Sequence, residues 1–387
     1  MTLFLLALAG AGCLYALLAA ALVARDLGGA RRRPAPPAGG WPGVSLLKPL
    51  YGDEPDLDRN LRSACLQDYP GPVEVIFGVA ESGDAAVPAA ERLRAELPER
   101  DIRLVVDGRR HGTNGKVSNL ANMLDRARHP VIVFADSDML VGPDYLSRVV
   151  AALEQPGIGA VTCLYRGVAV PGLWSRLGVS WIDHHFLPNV AVGMALGLAK
   201  PCFGSTIALT RDTLDRIGGF LALKDRLADD YAVGEAVRAL GLGVAVPPDL
   251  VLGHTCATAS LGALLRQEVR WVRTIRSVDP TGFLGSVVTH PIPLATLALA
   301  ASCFAPALTG AALAMLGAAV TSRLLLQIIV NRALNTGTNG LIVGPVRDYA
   351  AFLVFLLGFW PGSIDWRGHR FALQTDGSMT APPKAGS

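Results

Sequence analysis

The stretch VIVFADSDML, residues 131–140, sends an apolar run into Asp136-Ser137-Asp138 and returns at once to apolar residues. Alternation along an extended backbone puts Asp136 and Asp138 on one side, where their charges repel unless something positive stands between them. A hard divalent cation, held by oxygen ligands and by the phosphates of a nucleotide, meets that need. The competing reading is a solvated turn in which Asp136 or Ser137 caps a helix, and a bare D-x-D is too short to decide. The flanking pattern decides the fold. VIVFA (131–135) is one of five β-rich runs, with VSLLKPL (44–50), VEVIFGV (73–79), IRLVV (102–106) and GAVTCLY (159–165). Between them LDRNLRSACLQ (57–67), AAERLRAEL (89–97), KVSNLANMLDRA (116–127) and PDYLSRVVAALEQ (143–155) carry helical spacing. Such alternation predicts an α/β domain whose mostly parallel sheet is covered on both faces. Ligands then bind beyond the carboxyl ends of the strands, where Asp136 emerges.

The 387 residues allow one large domain or two ordinary ones. A hydrophobic content of 51% and a mean hydropathy of +0.38 are too apolar for an ordinary soluble enzyme and too polar for a pure membrane bundle. Lys and Arg number 35 against 32 Asp and Glu, so a net +3 argues against a nucleic-acid binder. The six cysteines (13, 65, 163, 202, 256, 303) form no CxxC pair, which fits a reducing compartment and neither a zinc site nor a disulfide framework.

Residues 2–24 carry no charge and are long enough to cross a bilayer core of about 30 Å as a helix. A cleaved signal peptide would begin with basic residues and have a shorter apolar core. Positive charges follow instead, at Arg25 and Arg31 to Arg33, which places the following chain in the cytoplasm. The expected order is a transmembrane anchor (1–24), a basic Pro/Gly-rich linker (25–43) and a cytoplasmic catalytic domain (44–260). From 286 to 322 the chain is again apolar, too long for one span and broken near Pro306 and Gly310, so a hairpin is expected. Its second arm runs to about Val330 and contains Arg323, read either as functional or as snorkelling near a helix end. YAAFLVFLLGFWPG (349–362) is a third, marginal segment. Membrane segments are thus expected over 286–362, followed by a polar, unordered tail (363–387).

Five motifs carry chemistry. Glu81 stands just past a strand end in GVAESGD (78–84), with Asp84 three residues on. Lys116 starts a helix in HGTNGKVSN (111–119) and can meet an anionic group. The DSD follows, then LADDYAVG (227–234) and QEVRW (267–271). Gln267 and Arg270, three apart, share a helix face. Arg270 suits a phosphate, and Trp271 offers a flat face to a sugar or acceptor. Leu261, Leu264, Leu265, Val269, Val272 and Ile275 form an apolar stripe, which predicts an interfacial helix over 261–285 lying on the membrane. His254 and Cys256 in GHTC invite a metal reading, although packed loop residues are the commoner case. His184 and His185, within the apolar and aromatic segment Trp174–Phe203, either line an acceptor groove or pack as core. Cys202 reads as structural.

In this order the motifs resemble those of the family-2-like glycosyltransferases, whose catalytic domain carries D, DxD, ED or DD, and (Q/R)xxRW. Over nearly the whole chain, VSLLKPL, DYP (68–70), DSD, DDY and RW are similar to the ceramide glucosyltransferases of family 21. KVSNL (116–120), ADSDM (135–139), VTCLYRG (161–167), CFGSTIAL (202–209), LADDYA (227–232) and SVVTHP (286–291) resemble bacterial hopanoid-biosynthesis glycosyltransferases. The resemblance implies a GT-A, Rossmann-like catalytic domain and Mg2+ or Mn2+ held by Asp138, with Asp136 on the metal or the ribose. It implies a UDP-sugar donor bound by Glu81, Asp84, Lys116, Asp136, Gln267, Arg270 and Trp271. It gives Asp230 the role of base in an inverting displacement, with Asp229 as its orienting partner or a cap. At the first acidic position the related lipid enzymes carry Asp, and this chain departs from them with Glu81. The expected activity is transfer of N-acetylglucosamine from UDP-GlcNAc to a hopanoid (bacteriohopanetetrol) in the inner membrane of a bacterium. Glucosylation of ceramide or diacylglycerol from UDP-glucose is the alternative. A processive polysaccharide synthase would need more membrane helices, and an inactive lipid- or nucleotide-binding scaffold would not need Asp138, Asp230 and Arg270. The expected partners are the donor, the lipid acceptor and the bilayer.

Overall fold

The computed structural model describes residues 1–27, 34–337, 344–360, 364–366, 369–373 and 379–380. The chain divides into two units, one of Arg31–Val170, Pro201–Ala257 and Gly368–Ser387, the other of Met1–Ala30, Pro171–Lys200 and Thr258–Arg367.

The first unit carries strands β1 (Val44–Pro49), β2 (Val73–Val79), β3 (Asp101–Val106), β4 (Val131–Phe134), β5 (Met139–Leu140), β6 (Ile158–Thr162), β7 (Leu164–Ala169), β8 (Ile207–Thr210), β9 (Gly243–Ala245) and β10 (Val251–Cys256). Seven of them form one sheet in the order β3-β2-β1-β4-β8-β6-β9. Neighbours from β3 to β4 run parallel, β8 runs antiparallel to both β4 and β6, and β9 is parallel to β6. The sheet is mixed and mostly parallel, as the strand–helix alternation requires.

Both faces are covered, and every residue of β1 and β4 is buried. Leu46, Val75, Phe77 and Val133 face helices Leu57–Cys65, Val87–Glu96 and Tyr145–Leu153 through Leu61, Leu93 and Leu146. Their chain neighbours Leu47, Ile76, Ile132 and Phe134 point the other way, onto Leu120 and Met123 of helix Gly115–Leu124 and onto Val233 of helix Asp229–Ala239.

The run 159–165, expected as one strand, is two. β6 stays in the large sheet, while β7 joins a separate sheet of order β5-β10-β7. The chain leaves one ladder at the buried Cys163, whose carbonyl accepts from Ser205 Oγ at 2.8 Å in place of a ladder bond.

In the second unit, helix Thr2–Leu27 runs three residues beyond the expected anchor and packs on helices Pro291–Ala301 and Thr309–Leu334. Ala9, Ala295 and Ala319 are fully buried there. Gly12 permits the approach, because a Cβ at that position would stand 2.5 Å from the Val288 carbonyl oxygen. Thr2–Leu27 and Pro306–Leu334 are long and apolar enough to cross a membrane. The expected first hairpin arm is instead a bent pair, Pro280–Thr289 and Pro291–Phe304, meeting at 68°. The helix breaks at the residue before Pro291, where the proline ring excludes a continuing helical turn. Helix Gly344–Leu357 has 14 residues, about 21 Å at helical rise, and does not span a bilayer core alone.

Arg323 neither snorkels nor faces lipid. It is buried, and its Nε and Nη2 each donate to Asp348 at 2.7 Å. His184 and His185 are also buried, His184 against Asn331 at 2.8 Å and His185 against Asp348 at 2.9 Å, so they form core of this unit. Helix Leu261–Val278 departs from the expected stripe. Leu264, Glu268 and Val272, one turn apart, face inward, while Leu261 and Ile275 are exposed. A charged residue on the buried face hides that face from a hydrophobicity count. The tail, expected to be unordered, carries short strands at Ile364–Trp366, His369–Leu373 and Met379–Thr380, the last two paired antiparallel. Arg31 to Arg33 of the basic linker lie outside the described residues.

Candidate active site

β4 ends at Phe134, and the turn beyond it is fixed from both sides. Lys48, near the end of β1, donates from Nζ to the Asp136 carbonyl at 2.6 Å, and the Asp136 amide donates to the Gly204 carbonyl at 3.3 Å. This leaves the Asp136 carboxylate free to take an ion pair from Lys116 at 2.7 Å. Lys116 sits in the first turn of its helix, which Asn114 caps by accepting from the Val117 amide and donating to the Arg226 carbonyl. The same ammonium is 3.4 Å from Asp229. Burial alone would lower the Lys116 pKa, but Asp136, Asp229 and Asp230 outweigh it and hold the group well above its ordinary value. Lys48 moves the other way, because burial pushes it down to about 8 against the pull of Asp138 and Asp136.

Asp229 and Asp230 begin helix Asp229–Ala239. Asp230 accepts from the amides of Gly204 and Tyr231, each at 2.8 Å. Burial, followed by the charge of Asp229, raises its carboxyl to about 6. Gly204 is where these groups converge. A Cβ there would lie 3.1 Å from Asp136 Oδ2, 3.2 Å from Lys116 Nζ and 3.4 Å from Asp230 Oδ2. The missing side chain is the space between them.

Asp138 is positioned by the small sheet. Pairing of β5 with β10 sets His254 opposite Met139, and the Thr255 amide donates to the Asp138 carbonyl at 2.9 Å. His254 Nδ1 then lies 3.4 Å from Asp138 Oδ2. Burial would raise the Asp138 pKa, but His254, Lys48 and Lys116 hold it below the usual carboxylate range, so it is ionised at neutral pH. Asp138 Oδ1 is buried with no hydrogen-bond partner among the described residues. An ionised, unsatisfied oxygen at a strand end is a vacant ligand atom for a hard cation. No group of three His, Cys, Asp or Glu among the described residues can hold a metal alone. A cation at Asp138, with Asp136 and His254 beside it, would complete its shell with oxygens of a bound ligand.

The structure therefore brings together Lys116, Asp136, Asp138 and Asp230 from the expected set. Glu81 is exposed in the loop after β2. Asp84 Oδ1 accepts from the amides of Gly52 and Ala86, which ties two loops together. Gln267, Arg270 and Trp271 belong to the second unit, where the Trp271 ring is 5.0 Å from that of Trp181. Lys48, Gly204, His254 and Tyr165 are additions. Tyr165 packs its ring 5.6 Å from His254 and edge-on to Phe203 at 6.0 Å. Among these, the sequence signals were a lysine inside the largely apolar run VSLLKPL and the histidine of GHTC. His254, read as a loop residue, lies on β10.

Known proteins share the fold and the family. The mannosyltransferase PcManGT from Pyrobaculum calidifontis, solved in complex with GDP-Man and Mn2+, matches with a TM-score of 0.53 and 25% identity, over 86% of this chain and 98% of that one. The fold is of the GT-A glycosyltransferase type. Ceramide glucosyltransferase 3 of Caenorhabditis elegans is 24% identical over 366 residues, 89% of this chain and 75% of that protein. Ceramide glucosyltransferase 1 of the same organism is 24% identical over 233 residues, 60% of this chain, and the match covers only about half (49%) of that relative's length. An N-acetylglucosaminyltransferase of Mesorhizobium japonicum is 22% identical over 62% of this chain and 57% of its own length. The profile of Glycosyl transferase family 21 matches residues 3–379, and the chain belongs to that family.

Proposed function

We propose that this glycosyltransferase moves glucose from UDP-glucose to the primary hydroxyl of a ceramide-type lipid at a membrane surface, with inversion at the anomeric carbon. The observation that carries a transfer reaction is the convergence of Asp136, Lys116 and Asp230 on the gap at Gly204, beside the unsatisfied Asp138. The relatives named for ceramide support that acceptor over the hopanoid expected from sequence. The rhizobial relative keeps N-acetylglucosamine as the second donor to test.

Asp138, with Asp136 and His254, would hold a divalent cation, which supplies positive charge against the leaving diphosphate. Asp230 takes the proton of the acceptor hydroxyl as its oxygen bonds to the anomeric carbon, and the bond to the nucleoside diphosphate breaks with its electron pair leaving on the phosphate oxygen. A base near pKa 6 is ionised at neutral pH and still basic enough to work. Lys116 orients Asp136 and holds Asp229 against Asp230, while Lys48 fixes the turn from beneath. The resemblance assigns Arg270 and Trp271 to donor binding, and the flat face of Trp271 also suits an acceptor.

The test uses full-length protein in liposomes with UDP-glucose and UDP-N-acetylglucosamine, each offered ceramide and a hopanoid polyol. Glucosylceramide with the anomer opposite to the donor's, abolished in Asp230→Asn, is the expected outcome. Transfer confined to the hopanoid would sink the acceptor assignment, and retained configuration would sink the single displacement.

A further inference from the structure

We propose that Glu268 and Arg347 are positioning residues, an ion pair that fixes the rotation of helix Leu261–Val278 and so the presentation of Gln267, Arg270 and Trp271. The inference rests on the reading of Arg270 and Trp271 as groups that engage donor and acceptor. Glu268 lies inside QEVRW, on the helix face that Leu264 and Val272 bury. Its Oε1 accepts from Arg347 Nη2, and both side chains are almost wholly buried, 1% and 3% exposed. Glu268 Oε2 has no hydrogen-bond partner among the described residues, so the Arg347 guanidinium is the carboxylate's compensation there.

Arg347 reaches further. Its Nε donates to the Leu177 carbonyl at 3.2 Å, and the next residue, Asp348, binds Arg323 and His185. Two adjacent residues near the start of helix Gly344–Leu357 thus tie the motif helix to Leu173–Trp181, to Ile182–Phe186 and to Thr309–Leu334.

A buried ion pair is a poor device for stability, because apolar residues of similar volume serve as well or better. It is a good device for register. Apolar contact through Leu264 and Val272 is non-directional and tolerates rotation of the helix about its axis. A charge that must meet one guanidinium does not. One residue of slip turns a helix by about 100°, which would carry Trp271 away from Trp181 and Arg270 off its face. The Glu268 position therefore sets where the flanking motif residues point.

The test compares Arg347→Met, Glu268→Gln and the double variant in full-length, detergent-solubilised protein. Arg347→Met alone strands a buried carboxylate and is expected to lower Tm. In the double variant neither charge remains, so Tm is expected to return to the parental value. Its kcat/KM for transfer is expected to stay down on the order of 10²-fold, the cost of misplaced catalytic groups. The near-UV circular dichroism of the Trp181–Trp271 pair should change with it. A double variant with parental Tm, kcat/KM and near-UV spectrum overturns the proposal, since the pair would then only pack. If the double variant does not fold, Glu268→Gln decides. Parental kcat/KM overturns the proposal, and a loss at parental Tm supports it. Arg270→Ala is run alongside. Full transfer in that variant would overturn the functional reading of the motif itself, while loss in Arg270→Ala with full activity in Glu268→Gln would overturn only the positioning role.

Discussion

Asp230 is held between opposing influences. The amides of Gly204 and Tyr231 favour its charged form, while burial and Asp229 oppose it and prevail, which leaves the carboxyl at about 6. A base with that value is protonated and idle below it and ionised above it. The kcat/KM for transfer should therefore rise with pH through about 6 and then level off, and a profile already flat below pH 6 would remove Asp230 from the role. Asp138→Asn keeps the shape of the side chain and removes its charge. It should lower turnover by about 10²-fold or more and weaken Mn2+ binding in the presence of UDP, read by calorimetry. Full activity in excess EDTA would contradict that assignment. Asp136 and Asp138 were legible because charges that interrupt an apolar run are conspicuous, Lys116 because it opens a helix, and Asp230 through the motif order that the resemblance supplied. Gly204 was not, since its contribution is the space it leaves. His254 was weighed as a metal ligand but set below a packed loop residue, because it meets Asp138 through a strand pairing more than a hundred residues apart in sequence, which no local pattern encodes.

Helix Leu261–Val278 shows what a pattern conceals at the scale of an element. Its apolar stripe was legible, yet the stripe divides between an interior face and an outer one, and only the structure separates them. Leu264 is 4% exposed and Leu261 is 48% exposed. Leu264→Asp should thus lower Tm sharply by burying an unpaired charge. Leu261→Asp should leave Tm unchanged and weaken flotation with liposomes, because an exposed apolar residue on an amphipathic helix is the part that meets a lipid interface. Equal Tm losses in the two variants would refute the division of faces. Strands β1 to β4 and the helices between the expected strands were legible from period alone, to within a few residues, while β5, β8, β9 and β10 were not read. The split of 159–165 between two sheets was not, because alternation continues unchanged through the residue at which a chain changes partners.

For the whole molecule, the charge-free N-terminal run announced an apolar helix, but not that its small residues pack tightly on two others. Deleting residues 1–24 should leave the chain in carbonate-washed membranes, because Pro306–Leu334 remains, while lowering Tm by exposing the face that Ala9 covered. A chain released by the carbonate wash would contradict this. A net charge of +3 gives the protein little long-range field, and Lys116, placed between Asp136 and Asp229, gives the site its own counter-ion. The donor proposed above, a doubly negative sugar diphosphate carrying a divalent cation, would be nearly self-cancelling. A donor whose charge is cancelled by its own cation has few mobile ions to displace when it binds. Donor affinity should therefore be almost indifferent to ionic strength, unlike that of a phosphate site built from unpaired cations, and donor titrations in dilute and concentrated salt would read the slope directly.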